Sequence, residues 1–208
     1  MSFFLVFDFE TTGVGKDASN KYRPYPVARM PLPRANYPTQ LAMELLDENY
    51  NLVKCKQMLI QGCKRLDPWV LENCPHISVK DCERDGVSFE ECIKEIADMI
   101  GDKKCTMVAH NIQYDWDDVL LRTARELHLE DTSSFRKLAS IPKYCTCINE
   151  GTKKEKTAYY WSKLGKWIGP KLSILAQDCG VDYDTNAAHD AAYDVRVTSQ
   201  CLAHSLVK

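Results

Sequence analysis

The sequence predicts an α/β domain in which one mixed sheet carries helices on both faces. Three observations predict it. Apolar strand-like runs come first as a meander, strands and helices then alternate, and 208 residues with 45% hydrophobic content suffice for one compact core.

The chain opens SFFLVFDFETTG, residues 2–13, and the apolar run Phe3 to Phe7 reads as the first, buried strand. Thr39 to Asp47 (TQLAMELLD) and Leu52 to Gln61 (LVKCKQMLIQ) read as two further strands. Asp47-Glu-Asn-Tyr-Asn51 between them supplies turn chemistry, so the pair is expected to be an antiparallel hairpin. Ser88 to Ile100 is the clearest helix. Phe89, Ile93, Ile96 and Ile100 recur at helical spacing, Ser88 and Glu91 form a capping box, and Gly101 ends the pattern.

Cys105 to Ala109 (CTMVA) is a short buried strand, followed by a helix over Gln113 to His128 with the apolar stripe Trp116, Val119, Leu120 and Leu127. Lys143 to Ile148 is a further strand. Leu172 to Cys179 is a short helix stopped by Gly180, and Asp190 to Val207 is a terminal helix.

Two segments interrupt this order. Gly13 to Thr39 holds five of the nine prolines, with Lys16, Lys21, Arg23, Arg29 and Arg34 set against the single acid Asp17 and Tyr22, Tyr25 and Tyr37 among them. Loops of such length inside compact domains are uncommon and tend to be functional or disordered. Arg136 to Lys171 carries nine basic residues against Glu150 and Glu155, with Tyr159, Tyr160, Trp161 and Trp167 interleaved. Cations beside aromatic faces suit a nucleic-acid strand, since phosphates meet the charges and bases stack on the rings. A solvated lysine-rich surface is the plainer reading of each segment taken alone. The net charge is −2, so any nucleic-acid contact has to come from such local surfaces.

The apolar start is far too short to span a bilayer and is cut off by Asp8 and Glu10, which excludes a signal peptide or membrane helix. The protein is therefore expected in the cytoplasm or nucleus, neither secreted nor membrane-bound. Ten cysteines are scattered without a CxxC pair, and Cys74-Pro-His76 followed by Cys82 matches no common zinc module. Reduced, mostly buried thiols are expected.

The acids carry the chemistry. Asp8 and Glu10 stand two apart on a strand, which points both side chains to one face at the place where the backbone leaves the sheet. Asp115 lies in AHNIQYD, residues 109–115, again at the carboxyl edge of the sheet, with Asn111 as the expected N-cap. Asp117 and Asp118 close by would serve a helix dipole equally well, so only motif context singles out Asp115. In AAHDAAYDVRVT, residues 187–198, His189 precedes Asp194 by five residues, a turn of about 140° on a continuous helix. For the two to face one centre, His189 must lie in the loop before the helix, with Asp190 as N-cap and Asp194 in the first turn.

FDFETTG, HNIQYD and HDAAYD, in that order, resemble the three motifs of the DEDDh branch of 3′→5′ exonucleases in the RNase H-like superfamily. The resemblance runs from Phe4 to the terminal helix, and Lys171-Leu-Ser-Ile-Leu175 resembles the helix that precedes the family's histidine. The branch with tyrosine in its third motif would need that residue four positions before the last acid, where Asp190 stands.

The resemblance implies an RNase H-like mixed five-stranded sheet forming a single exonuclease domain over 1–208, with a proline-rich basic insertion at about 13–39 and a basic aromatic loop at about 149–171. It implies that Asp8, Glu10, Asp115 and Asp194 hold two Mg²⁺ or Mn²⁺ ions, and that His189 is the general base. Hard oxygen ligands and a group titrating near neutral pH agree with those roles. Thr11, Thr12 and His110 are implied beside the 3′-terminal nucleotide, and His76 near the terminal base. The implied reaction is hydrolysis of DNA or RNA from a free 3′ end, single strand favoured, releasing nucleoside 5′-monophosphates. A protein partner or homodimer is compatible with the sequence but not derivable from it. The alternative is a non-catalytic nucleic-acid-binding or scaffold module of the same fold. Such a module would be expected to lose acids, whereas all four acids and the histidine are present.

Overall fold

The computed structural model describes residues 1–13, 36–147, 160, 161, 167, 168 and 170–206. Most of the 13–39 insertion and of the 149–171 loop lies outside the described residues. The strands are β1 (Phe3–Thr11), β2 (Pro38–Leu46), β3 (Leu52–Leu59), β4 (Cys105–Ala109) and β5 (Lys143–Cys145). They form one mixed sheet in the order β3-β2-β1-β4-β5. β1 and β2, and β2 and β3, pair antiparallel, while β1 and β4, and β4 and β5, pair parallel. Within the 149–171 loop a small separate hairpin, β6 (Tyr160–Trp161) and β7 (Trp167–Ile168), forms its own sheet.

The helices are α1 (Pro68–Asn73), α2 (Val79–Asp85), α3 (Phe89–Ile100), α4 (Arg122–Glu126), α5 (Ser133–Ser140), α6 (Leu172–Cys179) and α7 (Ala191–Leu206). Side-chain alternation along β1 divides the core between the two sheet faces. Leu5, Phe7 and Phe9, with Leu41, Met43 and Leu45 of β2, pack among Ile93, Ile96 and Ile100 of α3 and Leu138 of α5. Val6, Ala42, Leu46 and Val108 pack on the other face against Ala191, Val195 and Leu202 of α7. Asp8 and Glu10 continue the Val6 row, so the same alternation that builds the core delivers both acids to the α7 face.

Local signals are realised where they were strong. The Ser88 hydroxyl accepts the Glu91 N–H at 3.1 Å, and Gly101, at φ 55°, closes α3. Gly180 ends α6 in the left-handed region at φ 68°. No disulfide forms among the described residues, and Cys63, Cys74 and Cys82 build a satellite core with Val70 and Ile77. Burial pushes the Cys74 thiol up to about 12 and that of Cys82 to about 11, which keeps them protonated apolar fillers at neutral pH. Among the described residues no helix is long and apolar enough to cross a membrane.

The helix expected over 113–128 is different in kind. Gln113–Leu121 is a π-helical segment that passes into α4. Each π turn takes an extra residue, so a stripe drawn at 3.6 spacing drifts off its face. Asp115, Asp118, Val119 and Leu120 are buried there, as are Arg122, Thr123 and Ala124, whereas Leu127 is 41% exposed and no part of the stripe. The short helices α1, α2 and α5 were not anticipated. Their signals are Pro68 at the start of α1 and hydroxyl caps at Ser78 and Thr132, each too brief for periodicity to register.

Candidate active site

The site lies at the carboxyl edge of β1, where its pairing with β4 ends at Val6 opposite Val108 and β1 runs on for five more residues. Beyond that point the N–H of Phe9 has no β4 partner, and it donates instead to Oδ1 of Asp115 at 3.0 Å. One hydrogen bond thus joins the first acidic motif to the second. Asp8 stands opposite Ala42 in β2, a small neighbour that leaves room beside its carboxylate. The β1–β2 register shifts between Glu10 and Thr11, where Thr39 of β2 is passed over in the pairing.

The third motif adopts the geometry its five-residue offset demanded. His189 lies before α7 at φ 66°, and its main-chain N–H donates to Oδ2 of Asp194 at 3.1 Å. The Asp190 carboxylate accepts the N–H groups of Ala192 at 2.9 Å and Tyr193 at 3.2 Å, capping the helix. The Ala191 N–H donates to Oε1 of Gln40 at 3.2 Å, which ties the start of α7 to β2. The imidazole of His189 meets the ring of Trp69 edge-on, with centroids 4.9 Å apart and planes at 79°. His76 approaches Asp190 at 3.7 Å.

Asp8, Glu10, Asp115, Asp194 and His189 line one cavity of about 190 Å³. Ligating atoms of Glu10, His189 and Asp194 lie within 4.8 Å of one another. No lysine or arginine is among the described residues lining the cavity. Burial, reinforced by Asp115 and the other acids, raises Asp8 well above the usual carboxylate range, and burial with Asp194 does the same to Glu10. Burial pushes Asp115 up to about 8 against the opposing pull of the Phe9 N–H, and Asp194 up to about 6. His189 is pushed below its ordinary value by burial and by the nearby Lys171. Oδ1 of Asp194 is buried with no hydrogen-bond partner among the described residues. An orphaned carboxylate oxygen within a cluster of mutually repelling acids is the arrangement a divalent cation relieves.

The residues expected beside a terminal nucleotide divide. Thr11 and His110 line the cavity. The hydroxyl of Thr11 donates to the Gly13 carbonyl at 2.9 Å. His110 has both ring nitrogens engaged, Nε2 at 3.0 Å from the Pro170 carbonyl and Nδ1 at 3.1 Å from the Thr146 hydroxyl. A carbonyl only accepts, so the proton sits on Nε2 and Nδ1 accepts from Thr146. Burial lowers this imidazole to about 4 and keeps it neutral. Thr12 is not among the lining residues. Its N–H donates to the Tyr37 carbonyl at 2.9 Å, its hydroxyl accepts the Tyr37 N–H at 3.0 Å, and its carbonyl accepts the Asp67 N–H at 2.8 Å. These three bonds fasten 12 to 37 and to the start of α1.

Trp69 and Val70 of α1 and Tyr114 of the π segment also line the cavity, and sequence reasoning missed all three. Tyr114 stood inside a quoted motif. Trp69 could have been suspected only from its proximity to Pro68, since nothing in its spacing links it to the acids.

No protein-family model matches the chain, and no curated protein does. Among solved structures it is similar to E. coli Exonuclease I in complex with a dT13 oligonucleotide, at a TM-score of 0.67 and 18% identity, over 100% of this chain and 41% of that one. A product-bound structure of exonuclease I gives 0.67 and 16%, over 100% and 44%. A moderately thermophilic Exonuclease I from Methylocaldum szegediense gives 0.64 and 16%, over 98% and 40%. The chain thus spans less than half the length of these structures. The shared architecture is the RNase H-like fold that the three motifs implied.

Proposed function

We propose that this chain is a metal-dependent 3′→5′ exonuclease that releases nucleoside 5′-monophosphates from single-stranded nucleic acid. The observation that carries the reading is the convergence of Asp8, Glu10, Asp115, Asp194 and His189 on one cavity that no lysine or arginine lines among the described residues. Solved structures of the same fold include Exonuclease I with dT13 and with dA16, which favours single-stranded DNA as the first substrate to test.

The donor set fits Mg²⁺ or Mn²⁺, since it offers hard carboxylate oxygens in number, one of them orphaned. Asp8, Glu10, Asp115 and Asp194 would hold two such ions, which when bound supply charge and Lewis acidity for an in-line phosphodiester displacement. His189 takes the proton of the attacking water. Its lowered pKa leaves the ring neutral and ready to accept at neutral pH. Trp69 packs against that ring and limits its swing, while His110, neutral and doubly bonded, holds one wall of the cavity.

The chain works as a single exonuclease domain, and its two basic segments guide a strand toward the cavity. Ten cysteines with no disulfide among the described residues suit a reducing, intracellular compartment. End-labelled single-stranded DNA, duplex DNA and single-stranded RNA, each with Mg²⁺ or Mn²⁺, test the reading against Asp8→Ala and His189→Ala. Stepwise 3′ shortening by wild type alone is expected. No shortening of any substrate would sink the reading and leave a binding module of the same fold.

A further inference from the structure

One hydroxyl in the cavity wall belongs to no acid and no base, yet it joins the chain beside two of the carboxylates. The Tyr114 hydroxyl lies 2.8 Å from Oγ1 of Thr11 and accepts an N–H of the Asn36 amide at 3.2 Å. The Thr11 hydroxyl spends its proton on the Gly13 carbonyl, so at Tyr114 it can only accept. The bonds therefore run one way, from Asn36 through Tyr114 and Thr11 to Gly13. Arg122, 4% exposed, anchors the far end. Its Nη2 donates to the Asn36 carbonyl and its Nε to the Asp118 carbonyl at 2.6 Å.

Placement gives this chain of bonds its meaning. Thr11 follows Glu10 at the shift in β-pairing, and Tyr114 precedes Asp115. Together with Phe9 N–H to Asp115, the Tyr114–Thr11 bond makes a second rung between the end of β1 and the first turn of the π segment. One rung alone would leave that turn free to pivot about the Asp115 carboxylate.

We propose that the Tyr114 hydroxyl is a positioning group for the carboxylate cavity: by bonding Thr11 and Asn36 it fixes the spacing between the segments that carry Glu10 and Asp115. It need touch neither substrate nor cation. The inference rests on the reading of the cavity as a divalent-cation site.

The test is Mn²⁺ binding by calorimetry on the protein free of nucleic acid, together with kcat and KM on a labelled oligonucleotide. Partners that orient metal ligands are commonly worth about 10–100-fold in affinity. Tyr114→Phe keeps the ring and is expected to weaken Mn²⁺ binding about 10-fold and lower kcat more than it changes KM. Thr11→Ser, which keeps the hydroxyl, should bind Mn²⁺ at least about fivefold more tightly than Thr11→Val, and this pair carries the comparison should Tyr114→Phe fold poorly. Asn36→Ala combined with Tyr114→Phe should bind no more weakly than Tyr114→Phe alone, because both break one chain of bonds.

A Tyr114→Phe protein whose Mn²⁺ affinity and kcat stay within about twofold of wild type overturns the inference and leaves the exonuclease reading standing. So does a Thr11→Ser protein as weak as Thr11→Val. Wild type that binds no Mn²⁺ and shortens no substrate overturns both.

Discussion

The main-chain N–H of His189 donates to Oδ2 of Asp194 across 3.1 Å, and the turn it closes holds His189 at φ 66°. A left-handed residue before the helix lets two side chains five positions apart address one cavity. It also separates two jobs of His189, since the backbone makes the turn and the ring faces the acids.

Asparagine tolerates the left-handed region and alanine does not. His189→Asn is therefore expected to fold with near wild-type stability while kcat falls about 100-fold or more, the usual worth of a positioned general base. His189→Ala should lose the same activity and be less stable than His189→Asn, because alanine lacks the left-handed preference that histidine and asparagine share. Oligonucleotide kinetics and urea denaturation on both variants check the division.

Asp115 is raised to about 8, so between its unfolded value near 4 and about 8 the folded protein binds the extra proton and loses stability as pH rises. His110, lowered from 6.5 to about 4, has the opposite sign but acts only below its unfolded value. Above pH 6.5 the acid term stands unopposed by that histidine. With chelator present, Tm is expected to fall from pH 6.5 to 8 in wild type and to fall less in Asp115→Asn. Excess Mn²⁺ should raise Tm more at pH 8 than at pH 6.5. Equal slopes for wild type and Asp115→Asn would refute the assignment.

His110 bonds two partners 36 and 60 positions further along the chain, one just before the 149–171 loop and one near its end. His110→Ala removes one hydrogen bond from the Thr146 hydroxyl and one from the Pro170 carbonyl and is expected to cost about 1–3 kcal/mol for the two together. Chemical denaturation measures the loss directly.

Gly13 lies under the N-cap of α1. A Cβ there would fall 2.0 Å from Oδ2 and 2.9 Å from Cβ of Asp67, and Asp67 precedes the turn that carries Trp69 and Val70 into the cavity. Gly13→Ala must push that turn away. Misplacement of about 1 Å can cost up to 10²-fold, so a loss of about 10-fold in kcat/KM is expected with little change in substrate-free Tm. Activity assays beside thermal melts decide it.

Legibility tracked the range of the interaction. Alternation in FFLVFDFE placed Asp8 and Glu10 on one face, and Ser88, Gly101 and Gly180 marked helix ends, because these are local effects of backbone geometry. Spacing and helix-dipole arguments could not tell the three acids at 115, 117 and 118 apart; motif context chose Asp115, and the structure shows why. Asp115 lines the cavity, Asp118 is buried beside Arg122, and Asp117 faces solvent near Lys143. The π-helical turn that sorts them follows no 3.6-residue period, so the stripe ending at Leu127 was misdrawn.

By itself the sequence determined the order of the five sheet strands and of the helices at 89–100, 172–179 and 191–206, the face on which the first two acids lie, and the loop placement of His189, since each follows from residue spacing along a regular backbone. Only the tertiary structure decided that Thr12 fastens the neck of the insertion, that His110 is spent on Thr146 and Pro170, and that Trp69 and Tyr114 complete the cavity wall. Those assignments depend on groups brought together across tens of residues, where the hydrogen-bond demand of buried polar atoms, rather than local periodicity, selects the partner.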